Sequence, residues 1–159
     1  MYAWLTGSPF GKLLLTFLIS MVPVAELRAG IPYGVALGLD YHVAALTAIA
    51  GNILPVPVII VYVRRVFAWL RTKSRRLDAW ITGMEKKAEH KGEKVRRYGM
   101  IGLILLVAIP LPGTGAWTGA LVAALLGLRM RDALPAIILG VIIAAGIVLA
   151  VTFGVSYLI

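Results

Sequence analysis

The sequence predicts an all-α integral membrane protein of two inverted repeats, each a re-entrant helical hairpin followed by one transmembrane helix. A basic amphipathic cytoplasmic helix joins them. Three observations lead there. Of 159 residues, 60% are apolar and 14% charged, with a mean hydropathy of +0.92; a soluble globule of this size leaves too much area wet to hide that surface. Twelve of the 16 Lys and Arg fall within residues 64–97, and Arg129 and Arg131 form a second cluster. A shift of 89 residues lays Gly30 on Gly119, Gly38 on Gly127, Ala44 on Ala133 and Gly51 on Gly140.

A membrane helix needs about 20 apolar residues. Residues 41–63 and 133–159 carry no Lys, Arg, Asp or Glu and meet that need. Residues 10–24 and 30–39 are each too short to span, with Pro23, Glu26, Arg28 and Pro32 marking the break between them. Residues 98–109 and 115–128 are short as well, separated by Pro110-Leu-Pro-Gly-Thr-Gly115, which stops one helix and starts another. Each short pair reads as a hairpin that enters and leaves by one face. Bent backbone at membrane depth is tolerated where protein or a cavity surrounds it. Six conventional spans would need helices of ten to fifteen residues, which is the weaker reading.

One membrane domain therefore covers residues 1–159: repeat one over 9–63, a connector over 64–97, and repeat two over 98–159. With a two-residue gap, Pro23 also meets Pro110. Basic residues favour the cytoplasmic side, so residues 64–97 are expected there and both termini outside, in a prokaryotic-type cytoplasmic (inner) membrane. The N-terminus shows neither a basic n-region nor a small-residue cleavage site, so the whole chain is expected to be mature. Each half makes an odd number of crossings, which gives the halves opposite orientation, an architecture of secondary transporters.

Within the connector, residues 75–97 read as an amphipathic helix: Leu77, Trp80, Ile81, Met84 and Ala88 recur at helical spacing with basic residues over the rest. Trp80 and Ile81 are expected in the headgroup region, while Arg75, Arg76, Lys86 and Lys87 meet anionic lipid. The net charge of +9 raises nucleic acid as a partner. The charge is tethered to the membrane at both ends with no recognition module around it, so no nucleic acid is expected. Ala136, Gly140 and Ala144 make a small-residue stripe suited to internal packing or a homodimer contact.

Glu26 and Arg28 are the full charges inside apolar territory away from the cytoplasmic boundary. An ionisable residue there is a functional candidate by default, and the plainer reading is a self-neutralising pair at the hairpin tip. The Pro110, Pro112, Gly113, Thr114 and Gly115 run is the second candidate. Thr114 is placed to cap a half-helix starting near Gly115, and the glycines allow close backbone approach to a ligand. Half-helix N-termini suit an anion, and a second such terminus is expected near Gly30 beside Arg28. The plainer reading is a tight turn that needs glycine for shape alone. Asn52, before Pro55 and Pro57, is a buried amide expected to line the cavity or to stitch helices together. No cysteine is present, and no nucleophile–base set or metal-ligand spacing appears. Neither an enzyme, a cofactor nor a metal is expected.

Pro23-Val-Ala-Glu-Leu-Arg-Ala-Gly-Ile-Pro-Tyr-Gly34, Gly51-Asn-Ile-Leu-Pro-Val-Pro57, and Pro110-Leu-Pro-Gly-Thr-Gly-Ala-Trp-Thr-Gly119 with Leu126-Gly127 resemble the small multi-drug export protein family. That family is distantly similar to the DedA, or VTT-domain, superfamily. The resemblance implies facing re-entrant hairpins, proton-dependent transport and flipping of polyprenyl-phosphate carriers, with Glu26 and Arg28 matching in kind the acid and arginine of the first hairpin tip. The second hairpin departs, because DedA proteins carry arginines where this chain has Pro-Leu-Pro-Gly-Thr-Gly.

Three functions follow as expectations. The first is a proton-coupled transporter or flippase for a small amphipathic anion such as a polyprenyl phosphate, with Arg28 and the backbone of residues 113–115 holding the head group and Glu26 carrying the proton. The second is a proton-coupled exporter of cationic compounds centred on Glu26. The third is a non-transporting membrane scaffold that displays the basic helix.

Overall fold

The computed structural model describes residues 6–111 and 113–154 and is helical throughout, with no strand among the described residues. Helix α1 spans Pro9–Met21, opened by Ser8, whose hydroxyl accepts from the Gly11 N–H at 3.1 Å. It stops where Val22 turns extended before Pro23, which disfavours the helical conformation in the residue ahead of it. Helix α2 spans Glu26–Ala36, α3 Tyr41–Ile53 and α4 Pro55–Arg71. Leu54, between α3 and α4, keeps helical angles (φ −53°, ψ −44°), so Tyr41–Arg71 forms one rod of 31 residues. The apolar run ends at Val63, yet the helix continues to Arg71 and buries Phe67.

Helix α5 spans Arg75–Ala108 and is broken at Gly99, whose φ of 59° and ψ of −137° split the amphipathic segment from a short apolar one. Helix α6 spans Ala116–Leu125 and α7 Met130–Gly154. Tyr41–Arg71 and Met130–Gly154 are long and apolar enough to cross a membrane.

Helices α1, α2 and α3 pack on one another, as do α5, α6 and α7. Several local features of the two groups match at the shift of 89 residues. Helix α2 ends with Leu37 N–H on Tyr33 O, Gly38 N–H on Val35 O and Leu39 N–H on Gly34 O. Helix α6 ends with Leu126 on Val122, Gly127 on Ala124 and Leu128 on Ala123. Gly38 and Gly127 supply the positive φ that this kind of helix end requires (84° and 67°). A side-chain carbon on Gly51 would strike the Phe17 carbonyl, and one on Gly140 would lie 3.0 Å from that of Ile104. Gly30 closes on Ser20 and Ala48; Gly119 closes on Val107 and Ile137. The first-helix partners are offset by 87 residues, the two-residue gap seen between Pro23 and Pro110. Val22 and Ile109, one residue before each proline, are both extended.

The connector differs from its expected placement. Ile81 is fully buried rather than seated among headgroups, and Ala88 and Val95 are buried at the same seven-residue spacing. A side-chain carbon at Gly92 would come within 3.3 Å of Leu126, so this stripe faces α6. Repetition every seven residues is a helix–helix seam as readily as a membrane face, and here protein takes it. Trp80 stays 59% exposed, and Arg75, Arg76, Lys86 and Lys87 are exposed beside it. Arg71 ties the end of the rod to α5 through Asp78 at 2.9 Å and through Glu85.

Candidate functional site

The extended residues before Pro23 and Pro110 end α1 and the apolar part of α5, and the loops that follow meet each other. Beyond the first loop come Glu26 and Arg28, in the first turn of α2 rather than ahead of it. Helix α2 begins at Glu26, not near Gly30, and accommodates Pro32 in its interior. Glu26 has a φ of 48°, the one described residue other than glycine in the left-handed region. Such backbone costs on the order of 1–3 kcal/mol and persists when the surroundings over-determine it.

The surroundings are the start of α6. Glu26 is 4% exposed, and its Oε1 accepts from the Trp117 N–H at 3.4 Å with the Ala116 N–H beside it. Gly115, at a φ of 133°, brings its α-carbon against the same carboxylate, where any β-carbon would collide. Helix N-termini bear unpaired N–H groups and a positive dipole end. The anion that satisfies this one is a side chain 91 residues away in sequence. Thr114 does not cap α6 as expected. The wide φ at Gly115 turns it away, and its hydroxyl serves the loop instead, shared between the carbonyls of Ile109 and Leu111 at 2.8 Å and accepting from the Leu111 N–H at 3.2 Å.

Arg28 is half-buried and binds the same loop. Its guanidinium donates to Leu111 O, to Thr114 O at 2.7 Å and to Thr114 Oγ1 at 3.2 Å. Among the described residues it makes no ion pair with Glu26, so the two charges are neutralised separately, one by N–H groups and the other by carbonyls. Gly113, at a φ of 77°, offers its carbonyl to Thr118 Oγ1 at 3.0 Å and to Lys91 Nζ from the connector. Trp117 Nε1 donates to Met21 O at 3.0 Å, joining the start of α6 to the end of α1.

The structure thus brings together Glu26, Arg28, Gly113, Thr114 and Gly115. Pro110 lines a cavity of about 260 Å³ with Arg28, Ile147, Val148, Val151 and Thr152. Pro112 lies outside the described residues. A second cavity of about 270 Å³ lies against Pro23, Trp117 and Thr118, with Ile59, Val63, Phe67, Met84 and Leu121 as its apolar walls. Asn52 is fully buried in α3 with neither amide atom hydrogen-bonded. Sequence reasoning missed Trp117, Thr118 and Lys91. The first two follow the Pro-Gly-Thr-Gly run directly, which was a usable signal, whereas Lys91 was one basic residue among twelve.

Among the described residues no three His, Asp or Glu side chains converge as metal ligands would. The chemistry at hand is charge recognition: helix N–H groups, a guanidinium and one buried carboxylate, with one cavity against Arg28 and another against Trp117. No curated protein and no solved structure matches the chain. The model of the membrane-protein family described as "Putative small multi-drug export protein" matches residues 26–147, most of the chain and all of this site, and the protein belongs to that family.

Proposed function

We propose that the protein is a secondary transporter that moves a small amphipathic anion across the membrane in exchange for, or together with, a proton. The observation that carries this reading is the placement of Glu26: a carboxylate held on the free N–H groups at the start of α6 marks that terminus as an anion site. A cargo head group with the same charge would compete for those N–H groups once Glu26 takes up a proton. Arg28 would keep the loop of residues 109–115 in shape, and the flanking cavities would take the apolar part. A polyprenyl phosphate has this chemistry.

In this reading α1 with α2, and the apolar end of α5 with α6, are re-entrant hairpins entering from opposite faces. Their lengths support it. At 13, 11 and 10 residues, α1, α2 and α6 rise about 15–20 Å, short of the roughly 30 Å hydrocarbon core. The hydrogen bonds repeated at the 89-residue shift support two halves of one design, and the basic residues of 64–97 support a cytoplasmic connector in the inner membrane. Anionic lipids at that surface remain the partners proposed for Arg75, Arg76, Trp80, Lys86 and Lys87. The protein acts as a transporter without enzymatic chemistry or cofactor.

A second reading, export of cationic compounds, is favoured by Glu26 being the buried acid of the described core and by the family's description. Transport assays in proteoliposomes separate the two. For an anion cargo, polyprenyl phosphates are carried, Glu26→Gln abolishes the pH response, and Arg28→Ala is as damaging. Carriage of cationic dyes alone, with Arg28→Ala tolerated, overturns the anion reading.

A further inference from the structure

Asn52 has no structural reason to be an amide. It is fully buried, and both amide atoms lack partners. Burying them so is unfavourable. Its counterpart at the 89-residue shift is Val141, which is also fully buried. The same packing position is therefore filled by an aliphatic side chain in the other half.

The register of α2 and α3 shows what the amide stands beside. A β-carbon on Gly34 would lie 3.0 Å from Ala44 Cβ, and one on Gly30 would lie 3.4 Å from Ala48 Cβ. Residue numbers fall by four on one helix as they rise by four on the other, so the helices are antiparallel and these positions form one stripe on each. Continued by one more step, the two stripes would bring position 26 level with position 52, at the point where the left-handed backbone of Glu26 leaves the regular helix. Glu26 turns its carboxylate away from this stripe, toward the start of α6.

We propose that Asn52 is the receiving group for the protonated Glu26 side chain, a second partner that the carboxylate does not engage. A neutral acid has an O–H to donate, which helix N–H groups cannot accept. An amide accepts it on Oδ1 and returns an N–H from Nδ2 to the acid carbonyl, closing a two-bond ring. One proton passes from a hydronium ion to a Glu26 oxygen, leaving water, and returns to water when the carboxylate re-forms; no other bond forms or breaks. The protonation state then decides whether Glu26 holds α6 or releases it to cargo. Asn52 is a positioning residue in this scheme, which rests on the proton-coupled reading above.

Other charges around Glu26 are few. On its own helix, Arg28 is engaged with Leu111 and Thr114, and on α5, Lys91 is engaged with Gly113. Helix α6 presents N–H groups, and neither it nor residues 109–115 carries a titratable side chain. Those of the rest lie far along their helices: Lys12 near Gly38 on α1, Tyr41 and His42 at the start of α3, Arg131 and Asp132 at the start of α7.

The test is Asn52→Val in the full chain, copying Val141. Its melting temperature should rise by about 2–4 °C, as it does when about 1 kcal/mol of unmet hydrogen bonding is removed from a chain of this size. The acid activation of transport should be lost. In infrared difference spectra taken across the pH titration, the acid C=O band that Glu26→Gln removes should move to higher frequency as its hydrogen bonds vanish. An unchanged band and pH response in Asn52→Val, with Glu26→Gln still uncoupled, overturns this inference alone. Normal pH-dependent transport by Glu26→Gln overturns the proton-coupled reading itself.

Discussion

The Glu26 carboxylate occupies the space that a side chain on Gly115 would need. Neither position is free to change without the other, although they belong to different halves of the chain.

Gly115→Ala should therefore fail twice over. Its φ of 133° costs an L-residue about 1–3 kcal/mol, and the new methyl overpacks the site by about as much. A fall in melting temperature of several degrees in detergent is expected. Adding Glu26→Ala should restore only the overpacking part, and full restoration would show that the backbone angle was not a constraint.

Arg28→Lys should loosen the loop of residues 109–115 although the charge is kept. One ammonium does not reproduce a planar fork that reaches Leu111 O, Thr114 O and Thr114 Oγ1 together. The expected loss is about 1–3 kcal/mol, read as faster amide exchange in that loop. Exchange as slow as in the parent protein would count against the clamp.

Two glycines should respond with opposite signs. Gly51→Ala drives a methyl into the Phe17 carbonyl, a backbone group that cannot swing aside, for about 1–3 kcal/mol of destabilisation. Gly146→Ala has nothing within 4 Å of the new carbon and removes a helix-interior glycine, for a gain of about 0.5–1 kcal/mol. Melting curves of the two variants, compared with the parent, check both directions.

Lys91→Met should free the Gly113 carbonyl from the connector while keeping the length of the side chain. Amide exchange should rise in residues 113–118 and in 84–95 but not in α3. Lys91→Arg, which keeps a donor, should restore protection. A uniform rise across the whole chain would instead indicate general destabilisation.

Local signals made much of this fold readable in the sequence. Pro23 and Pro110 end helices because ring geometry acts on the preceding residue. The glycines matched at the shift of 89 residues have like roles, positive φ at Gly38 and Gly127 and close approaches at Gly51 and Gly140. Capping of α6 was not legible. Thr114 has the right chemistry and the right neighbour, but its partner choice is set by the φ of Gly115, and Glu26 arrives only through tertiary packing. Ile81 misled for a related reason: an apolar stripe states that a face is dry without saying whether lipid or protein dries it.

The unbroken course of Tyr41–Arg71 through Leu54 sets a length. Thirty-one residues extend about 46 Å, against roughly 30 Å of hydrocarbon. Upright, the rod would overshoot the lipid tails by some three turns, and only a steep lean would draw it back. With the proposed cytoplasmic connector, Arg64, Arg65 and Arg71 would fall on the surplus, within reach of water. In the proposed topology the linker that follows would start outside the acyl boundary, and α5 would have to return toward it to lay Ile81 and Ala88 along α6.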